Sequence, residues 1–511
     1  MEDLLAHEFG VITNLIRLHA IEAPTRRALA DGERSLSYAA LDQLMDRVAV
    51  ALQREGLRPG DAIAICANTS VVYAAVFLGA LRAGVAVAPL APSSTPRSLA
   101  RMLTDAQPRL LFGDGPNQPV MAECGALPRI ALDGSGFGTA LDDWLGPVGA
   151  RAAAVHFAPD WPFNIIYSSG TTGEPKGIVQ SHGMRWSHVR RGKTYQYGPD
   201  TVTLLSTPLY SNTTLVVFFP TLAFGGCVLL MPRFDAGAWL QLAQSQRVTH
   251  TMLVPVQYQR LLARPDFGRH DLSSFRFKFS TSAPFGAALK ADVLERWPGG
   301  LVEFYGMTEG GGTCILEAHL HPDKLHTVGQ PAEGHDIRLI DDSGAEVAPG
   351  QSGEVVGHSP GMMTGYHGQP QQTREAEWYD ATGKRFIRTG DIGRFDADGF
   401  LTLFDRQKDM VISGGFNVYP SDLEAVLRQH PAVLEAAVVG VPSQQWGETP
   451  VAFVVLRAAA APEPEQLLHW ANARLGKTQR ISALKCLPEL PRSAIGKVLK
   501  RELRDAWTGP A

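Results

Sequence analysis

The chain has 511 residues, of which 45% are hydrophobic and 19% charged, and this composition excludes an intrinsically disordered protein and a coiled coil. The 47 basic and 51 acidic side chains leave a formal net charge of −4, so no overall positive field exists to hold nucleic acid or an anionic membrane. The 51 glycines and 35 prolines favour a loop-rich α/β enzyme over a helical bundle.

The first part of the chain alternates helix and strand patterns. Ser37 precedes apolar residues at helical spacing up to about residue 55, which predicts a helix capped by Ser37. Residues 62–66 and 85–90 are short apolar runs that predict buried strands, and residues 71–83 between them predict a buried helix. Such alternation is typical of a mostly parallel sheet with helices packed on it.

An uncharged segment, residues 215–231, is the best candidate for a membrane span. It is shorter than the ~20 residues that a spanning helix needs, and Pro220 and two glycines interrupt it. A buried strand–turn–strand or helix–strand segment is therefore predicted. The acidic N-terminus lacks the positive region of a signal peptide, and the five cysteines are isolated from one another, so we expect a cytoplasmic protein with reduced, buried thiols.

After about residue 336 the pattern changes to short strands separated by Gly and Asp turns, as in a small β-rich unit. Further on, Ser421 and Glu424 have the spacing of a capping box and predict a helix over residues 421–429. We place a domain boundary in the charged residues 405–409. The predicted fold is α/β: a large N-terminal domain (1–405) of parallel-type sheets with packed helices plus the β-rich unit, and a smaller, mobile α+β C-terminal domain (406–511).

The strongest local pattern is YSSGTTGEPKG, residues 167–177, between a predicted strand and a predicted helix that starts at His182. Its glycines let backbone N–H groups approach a ligand, its hydroxyls donate hydrogen bonds, and Lys176 adds a positive charge. The loop therefore predicts a polyphosphate-binding site, although a flexible surface loop has the same composition. It is not a Walker A loop, because Pro175 stands where that motif has its second glycine.

This loop resembles the signature of the adenylate-forming enzymes, which comprise acyl- and aryl-CoA ligases, adenylation domains of peptide synthetases, and luciferases. Four further segments resemble that family's motifs in the same order: YGMTE at 305–309, TGD at 389–391, DRQKD at 405–409 and PRSAIGK at 491–497. The pattern is most similar to that of bacterial aryl-CoA and coumarate-type ligases.

The resemblance implies that a carboxylic acid and ATP form acyl-AMP and pyrophosphate. It assigns catalysis to Lys497, Thr308 and Glu309, with Glu309 holding Mg²⁺ on the phosphates. Asp391 and Arg406 would bind the ribose, and Tyr305 would stack on adenine. The full set of residues implied to bind ATP or AMP is Ser168, Ser169, Gly170, Thr171, Thr172, Gly173, Lys176, Ser282, Ala283, Tyr305, Gly306, Met307, Thr308, Asp391, Arg406 and Lys497.

In the second half-reaction, the resemblance implies that coenzyme A attacks acyl-AMP after the C-terminal domain has rotated about a hinge at Lys408. A core position for Trp446 and a solvated one for Arg480 stay open as alternatives to CoA contacts. The residues implied to bind CoA are Ser413, Gly414, Gly415, Trp446 and Arg480.

The acid pocket is where the sequence departs from the family pattern. An aromatic residue or His usually stands at Ser211, and a commoner Gly is replaced by Ser282. Acetate-type ligases close the pocket with Trp at the position of Gly306, so Gly306 implies an acid larger than acetate, with Phe304 narrowing one wall. The residues assigned to the pocket are Ser211, Phe304, Gly306, Gly310 and Gly311.

These assignments imply an acid–CoA ligase for an aromatic or arylpropenoic acid. A medium-chain fatty acid and the loading of an acyl carrier protein stay open as alternatives. The expected ligands are the acid, ATP, Mg²⁺ and CoA; neither nucleic acid nor a membrane span is expected, and a homodimer is left open.

Overall fold

The computed structural model describes residues 5, 7–32, 34–168, 176–406, 409–413, 416–443, 445–457, 462–476, 479–493 and 496–509. The chain forms two compact units: Met1–Leu325, Pro331–Asp336 and Gly357–Ile387 make up the first, and His326–Gln330, Ile337–Val356 and Arg388–Ala511 the second. The domain boundary expected at residues 405–406 lies inside the second unit and stays a prediction.

The described helices are α1 (Ile12–Glu22), α2 (Tyr38–Arg54), α3 (Val71–Arg82), α4 (Pro96–Ala106), α5 (Leu141–Trp144), α6 (His182–Arg191), α7 (Asn212–Ala223), α8 (Ala236–Ser245), α9 (Pro255–Leu262), α10 (Ala287–Arg296), α11 (Pro370–Glu375), α12 (Pro420–Arg428), α13 (Pro464–Asn472) and α14 (Lys500–Asp505). The described strands are β1 (Arg27–Ala30), β2 (Ser35–Ser37), β3 (Ala62–Cys66), β4 (Ala86–Pro89), β5 (Leu111–Gly113), β6 (Arg129–Ala131), β7 (Thr139–Ala140), β8 (Pro162–Ser168), β9 (Lys176–Ser181), β10 (Val202–Leu205), β11 (Cys227–Leu230), β12 (His250–Leu253), β13 (Phe277–Ser280), β14 (Gly300–Gly306), β15 (Thr313–Glu317), β16 (Gln330–Pro331), β17 (Asp336–Ile340), β18 (Gly353–His358), β19 (Gly365–Tyr366), β20 (Glu377–Tyr379), β21 (Arg385–Phe395), β22 (Leu401–Arg406), β23 (Val411–Ser413), β24 (Phe416–Val418), β25 (Val433–Ser443), β26 (Gly447–Leu456) and β27 (Ala483–Cys486).

Two large sheets organise the first unit. One has the order β16-β15-β14-β13-β12-β10-β11-β1-β2, and the other has the order β19-β9-β8-β4-β3-β5-β6-β7. The central strands of both sheets run parallel, and antiparallel strands such as β15 and β9 lie towards the edges. This is the α/β architecture that the alternating sequence pattern predicts.

A single hydrophobic core joins side chains of both sheets with those of helices α2, α3 and α7. Helix α3 is buried at every position, and Ser70 caps it by accepting a hydrogen bond from the N–H of Tyr73 at 3.1 Å. Its one charged residue, Arg82, lies at the C-terminal end and pairs with Asp42 at 2.6 Å. A helix that is apolar all round is stable only inside such a core.

The first elements predicted from the sequence are confirmed. Ser37 caps helix α2 by accepting from the N–H of Ala40 at 3.2 Å, and β3, α3 and β4 end within one residue of the predicted bounds. Residues 215–231 form the end of α7 and strand β11, so the helix–strand alternative is correct. Among the helices that the structure describes, none is both long and apolar enough to cross a membrane.

The second unit contains the β-rich segment and the C-terminal residues. The later part of β21 pairs antiparallel with β22. Beyond them, a sheet of order β24-β23-β26-β25 is built on the long antiparallel hairpin β25–β26, with β27 parallel to β26. Helices α12 and α13 bury Leu423, Leu427 and Leu467 against this sheet, which gives the predicted α+β C-terminal region.

The capping box predicted at Ser421 and Glu424 is wrong. Helix α12 begins at Pro420, and its N-cap residue, Tyr419, makes no side-chain capping hydrogen bond. Proline suits the first helical position because its φ is already helical and it has no N–H to satisfy. The Glu424 carboxylate instead accepts a hydrogen bond from the N–H of Val438 at 2.9 Å, which fastens the helix to strand β25.

Candidate active site

The segment that follows strand β14 is fixed by hydrogen bonds from distant parts of the first unit. The Gln180 side chain donates to the carbonyl of Thr308 at 2.7 Å, and the N–H of Met363 donates to the carbonyl of Glu309 at 2.8 Å. The hydroxyl of Ser359 donates to the next carbonyl along the chain at 2.6 Å. The three carbonyls of the TEG sequence are therefore occupied, and the backbone is held in one arrangement.

The Glu309 carboxylate is buried and already oriented. The phenol of Tyr366 donates to its Oε1 atom at 3.0 Å, and the Lys176 ammonium lies 5.0 Å from the centre of the Tyr366 ring. Burial and the adjacent carboxylate raise the pKa of Tyr366, so the phenol remains a donor at neutral pH. Met307 packs against the hydrophobic cluster that contains this tyrosine. Tyr366 thus connects the loop lysine with the carboxylate that the motif singles out.

The two ends of the predicted phosphate loop are paired. Ser168, at the end of β8, is in register with Lys176, at the start of β9. Beside them, the phenol of Tyr167 donates to Asp105 of helix α4 at 2.6 Å. Both ends of the loop are therefore anchored to a sheet. The loop residues Ser169, Gly170, Thr171, Thr172 and Gly173 lie outside the described residues.

Strand β14 carries an aromatic wall. Phe304 stacks on Phe279 with ring centres 5.6 Å apart and meets Tyr195 edge-on at 5.8 Å. Side chains alternate along a strand, so Phe304 and Gly306 belong to one face and Tyr305 to the other. Gly306 is exposed and Tyr305 half-buried. The predicted acid-facing residues therefore share a face, and the predicted adenine-stacking residue lies on the opposite one.

A pair of hydroxyls lies at the start of helix α7. Thr213 Oγ1 and Ser282 Oγ are 2.5 Å apart, and Ser282 has a φ of +78°, which is rare for a residue other than glycine. Ser211 caps α7 by accepting from the N–H of Thr213 at 3.3 Å, so its hydroxyl has a structural use. Ala283 follows the strained serine and is half-buried.

Close packing explains the two glycines assigned to the acid pocket. A Cβ atom at Gly310 would meet the backbone of Gly361, and one at Gly311 would meet the Cβ atom of Ile387. Gly310 also has a φ of +72°, where a side chain is strained. Both positions therefore need glycine for reasons of space, whether or not an acid lies beside them.

In the second unit, the TGD motif forms part of strand β21. The N–H of Asp391 donates to the hydroxyl of Thr389 at 3.0 Å, and Gly390 has a φ of +70°. The register of β21 and β22 sets Asp391 opposite Arg406, next to a bulge. The backbone register therefore makes the two predicted ribose-binding residues neighbours on adjacent strands.

Lys497 lies at a tight turn near the C-terminus. Arg492 and Val498 form an isolated antiparallel bridge. The N–H of Ser493 donates to the Lys497 carbonyl at 2.8 Å, and Gly496 has a φ of +75°. The Lys497 side chain is exposed. The turn therefore presents this ammonium group away from any core.

Of the residues assigned to CoA, the structure describes three. Ser413 is in register with Gly447, which brings it beside the turn that carries Trp446. Trp446 is 50% exposed, which excludes the alternative of a core tryptophan. Arg480 is also exposed, so a solvated position stays open for it. Gly414, Gly415 and the hinge residue Lys408 lie outside the described residues.

Comparison with known protein families shows the family to which this chain belongs. Residues 16–367 match the AMP-binding enzyme family, and residues 422–497 match the AMP-binding enzyme C-terminal domain. The chain belongs to the AMP-binding enzyme family. The five motifs and the fold of both units agree with this membership.

This AMP-binding enzyme is similar over its whole length to CoA ligases and to a carrier-protein ligase. It is 33% identical over 495 residues to a feruloyl-CoA synthase of Amycolatopsis sp, covering 94% of this chain and 96% of the relative. It is 30% identical over 526 residues to the fatty acid–[acyl-carrier-protein] ligase ScoC of Streptomyces coeruleorubidus, covering 99% and 98%. MatB from Rhodopseudomonas palustris with ATP bound superposes with a TM-score of 0.87 at 30% identity, covering 96% and 98%. The enzyme is an AMP-forming acyl-CoA synthetase whose substrates are a carboxylic acid, ATP and CoA.

The acidic residues of this AMP-binding enzyme do not form a metal cage in the part of the chain that the structure describes. No group of three or more His, Cys, Asp or Glu side chains converges there. A Mg²⁺ ion bound at Glu309 would therefore take most of its ligands from phosphate and water, which is the usual arrangement for this ion.

Tyr366 contacts a predicted site residue, Glu309, and the sequence motifs do not single it out. It lies on the two-residue strand β19, paired with Ile178 of β9, so its position depends on sheet pairing. Without the fold, no pattern in the sequence connects Tyr366 to Glu309.

Proposed function

We propose that this enzyme is an acid–CoA ligase for an aromatic or arylpropenoic acid. The observation that carries the proposal is Phe304, which lies on the same face of β14 as Gly306 and packs on the buried rings of Phe279 and Tyr195. Aromatic rings pack favourably in offset or edge-on arrangements, so the part of Phe304 that stays accessible favours a flat ring beside it. The feruloyl-CoA synthase relative, named for an arylpropenoyl product, supports the same class.

In the adenylating step two anions must meet, so charge neutralisation is the main catalytic task. We assign to Lys497 the bridging of the acid carboxylate and the α-phosphate, and to Thr308 a hydrogen bond to that phosphate. Glu309 suits Mg²⁺, since hard cations prefer carboxylate oxygens and Tyr366 already holds this carboxylate. The bound ion would supply positive charge on the phosphates.

The remaining proposed roles concern the ribose, the adenine, the hinge and CoA. Asp391 would accept hydrogen bonds from the ribose hydroxyls, with Arg406 beside it, and Tyr305 would stack on adenine near Ser282. Lys408 would act as the hinge between the two half-reactions. The CoA thiol would then reach acyl-AMP along Ser413, Gly414, Gly415, Trp446 and Arg480.

A substrate panel tests the proposal. Purified enzyme is given ATP, Mg²⁺, CoA and, one at a time, benzoates, cinnamates and saturated acids of four to twelve carbons, and AMP, pyrophosphate and thioester are measured. We expect the best cinnamate or benzoate to exceed the best fatty acid in kcat/KM by at least ~10-fold, the discrimination available from one pocket group. A fatty acid that is preferred by that margin would contradict the aromatic assignment while leaving the ligase reaction intact.

A second candidate is the loading of an acyl carrier protein. The relative ScoC, a fatty acid–[acyl-carrier-protein] ligase similar over 98% of its length, favours it. Free CoA and a carrier protein present the same phosphopantetheine thiol, so one assay decides: the preformed acyl-AMP complex is offered CoA or a phosphopantetheinylated carrier. Faster transfer to the carrier at equal concentration would favour this candidate.

A further inference from the structure

Arg185 of helix α6 is a fully buried cation in the first unit, with 0% of its surface exposed. In the described part of the chain its hydrogen bonds go to amide oxygens and not to a carboxylate: Nε donates to Asn164 Oδ1 at 3.1 Å, and Nη2 donates to Gln180 Oε1. The rings of Phe163 and Phe219 lie 5.8 and 5.7 Å from its guanidinium carbon. Burying an ion without an opposite charge is costly, so this arrangement needs a reason.

The guanidinium determines which way two amide groups point. It carries donors only, so Asn164 and Gln180 must both turn their oxygens towards it. Asn164 Nδ2 then donates to Gln180 Oε1 at 3.0 Å. The NH₂ group of Gln180 consequently faces the other way, where it donates to the carbonyl of Thr308 at 2.7 Å.

The cation makes this orientation obligatory. A glutamine amide can otherwise rotate by half a turn at little cost, because its O and NH₂ ends have the same shape. With Arg185 in place, rotation would set NH₂ against the N–H groups of the guanidinium and the amide oxygen against the carbonyl of Thr308. Both ends would then repel their neighbours, and the four hydrogen bonds that the Gln180 amide makes with Arg185, Asn164, Thr308 and Asn212 would be lost.

We propose that Arg185 and Gln180 are positioning residues for acyl-adenylate formation, holding the peptide between Thr308 and Glu309 so that both side chains face the nucleotide phosphates. The inference rests on the roles proposed above for Thr308 and Glu309. Gln180 also donates to Asn212 Oδ1 at 3.4 Å, at the first turn of helix α7. One amide group therefore links the phosphate-facing segment to the helix that follows the acid-pocket residue Ser211.

Gln180→Glu separates positioning from a merely structural role. The carboxylate keeps an acceptor for Arg185 and supplies the missing counter-charge, so thermal stability should stay at or above that of the wild type. The atom that faces the Thr308 carbonyl, however, changes from a donor to an anionic acceptor. We expect kcat for pyrophosphate release to fall by about 10- to 100-fold at pH 8, the effect of losing one buried hydrogen bond and gaining a repulsion.

The two half-reactions give a signature that a structural role lacks. An adjacent opposite charge lowers the pKa of a carboxyl, so the carboxylate of Gln180→Glu beside Arg185 should stay ionised, and its loss of kcat should persist from pH 8 to pH 5.5. The variant should still convert supplied acyl-AMP and CoA to thioester at a near-normal rate. Gln180→Met, which removes the donor without adding a charge, should lose less kcat for pyrophosphate release. A Gln180→Glu enzyme that is folded and within about 2-fold of wild-type kcat at pH 8 overturns the proposal, because that loss is smaller than one hydrogen bond.

Gln257→Glu is the matched control. Gln257 is also buried, and it accepts from the N–H of Val254 at 3.1 Å and donates to Ser206 at 3.3 Å. This variant should lose stability and keep the wild-type kcat and pH profile.

Glu309→Gln, assayed in parallel with the acid that gives the fastest pyrophosphate release, separates two kinds of failure. Loss of activity in Glu309→Gln with full activity in Gln180→Glu overturns the positioning role alone. Full activity in both variants overturns the assignment of Glu309 as well.

Discussion

The hydroxyl of Tyr366 offers the sharpest test of the nucleotide site. Tyr366→Phe removes one oxygen atom and keeps the ring beneath Lys176, so the variant isolates the hydrogen bond of 3.0 Å to Glu309. Both partners are 8% exposed. A buried hydrogen bond to a charged group contributes about 1.5–3 kcal/mol, and each ~1.4 kcal/mol corresponds to a factor of ten in rate. We therefore expect kcat/KM for adenylation to fall by about 10- to 150-fold.

The assay is pyrophosphate release at several Mg²⁺ and ATP concentrations, with urea unfolding as a check on folding. Tyr379→Phe is a matched control, because Tyr379 donates to Glu377 at 2.9 Å but is 53% exposed. A hydrogen bond at the surface competes with water, so this variant should keep its activity and its stability within about 0.5 kcal/mol. Equal kinetics for the two variants would refute the claim that the hydroxyl orients the Glu309 carboxylate for metal-assisted chemistry.

Three further outcomes follow from the described residues. Lys497→Ala should lower acyl-AMP formation by at least ~10²-fold, which is the scale for losing one charged group that stabilises a transition state. The same variant should convert supplied acyl-AMP and CoA to thioester at a near-normal rate. Equal damage to both steps would count against a role in adenylation alone. Phe304→Ala should shift the preference towards bulkier acids by ~1–3 kcal/mol per group accommodated, and an unchanged profile over the substrate panel would show that Phe304 does not face the acid. Burial lowers the pKa of His250 to about 4. Between pH ~6.5 and 4 the unfolded state binds a proton at this histidine and the folded state does not, so the free energy of unfolding should fall as the pH drops through that range. In urea titrations, His250→Phe should lose less unfolding free energy between pH 7 and pH 5 than the wild type.

Sequence alone predicted the elements whose causes are local. The helix capped by Ser37 and the strand Ala62–Cys66 depend on neighbours in the chain, and both are confirmed. The cap at Ser421 is wrong because Pro420 starts the same helix one residue earlier. The local sequence contains two signals for a helix start, Pro420 as the first helical residue and Ser421 as a capping residue, and it does not show which one is used.

The site residues also divide into those that a local motif identifies and those that depend on the fold. Motifs identify Glu309 and Thr308, but Tyr366 lies 57 residues from Glu309, and Gln180 lies 128 residues from Thr308. Gln180 and Tyr366 belong to the sheet that contains β9 and β19, whereas Thr308 and Glu309 follow β14 of the other sheet. No short segment of sequence shows how two sheets pack against each other. A buried Arg185 is likewise unreadable from sequence, since arginine in a helix usually indicates an exposed face.

The left-handed backbone at Ser282 links the stability of the fold to the predicted nucleotide site. A residue other than glycine at φ +78° carries a strain of about 1–2 kcal/mol, whereas glycine adopts that conformation freely. Selection of variants for heat resistance alone should therefore favour Ser282→Gly. The same change would delete the hydroxyl that meets Thr213 at the start of helix α7. Because Ser282 is among the residues assigned to ATP, a more durable enzyme obtained in this way should have a changed KM for ATP, and directed evolution for stability needs a counter-screen on that constant.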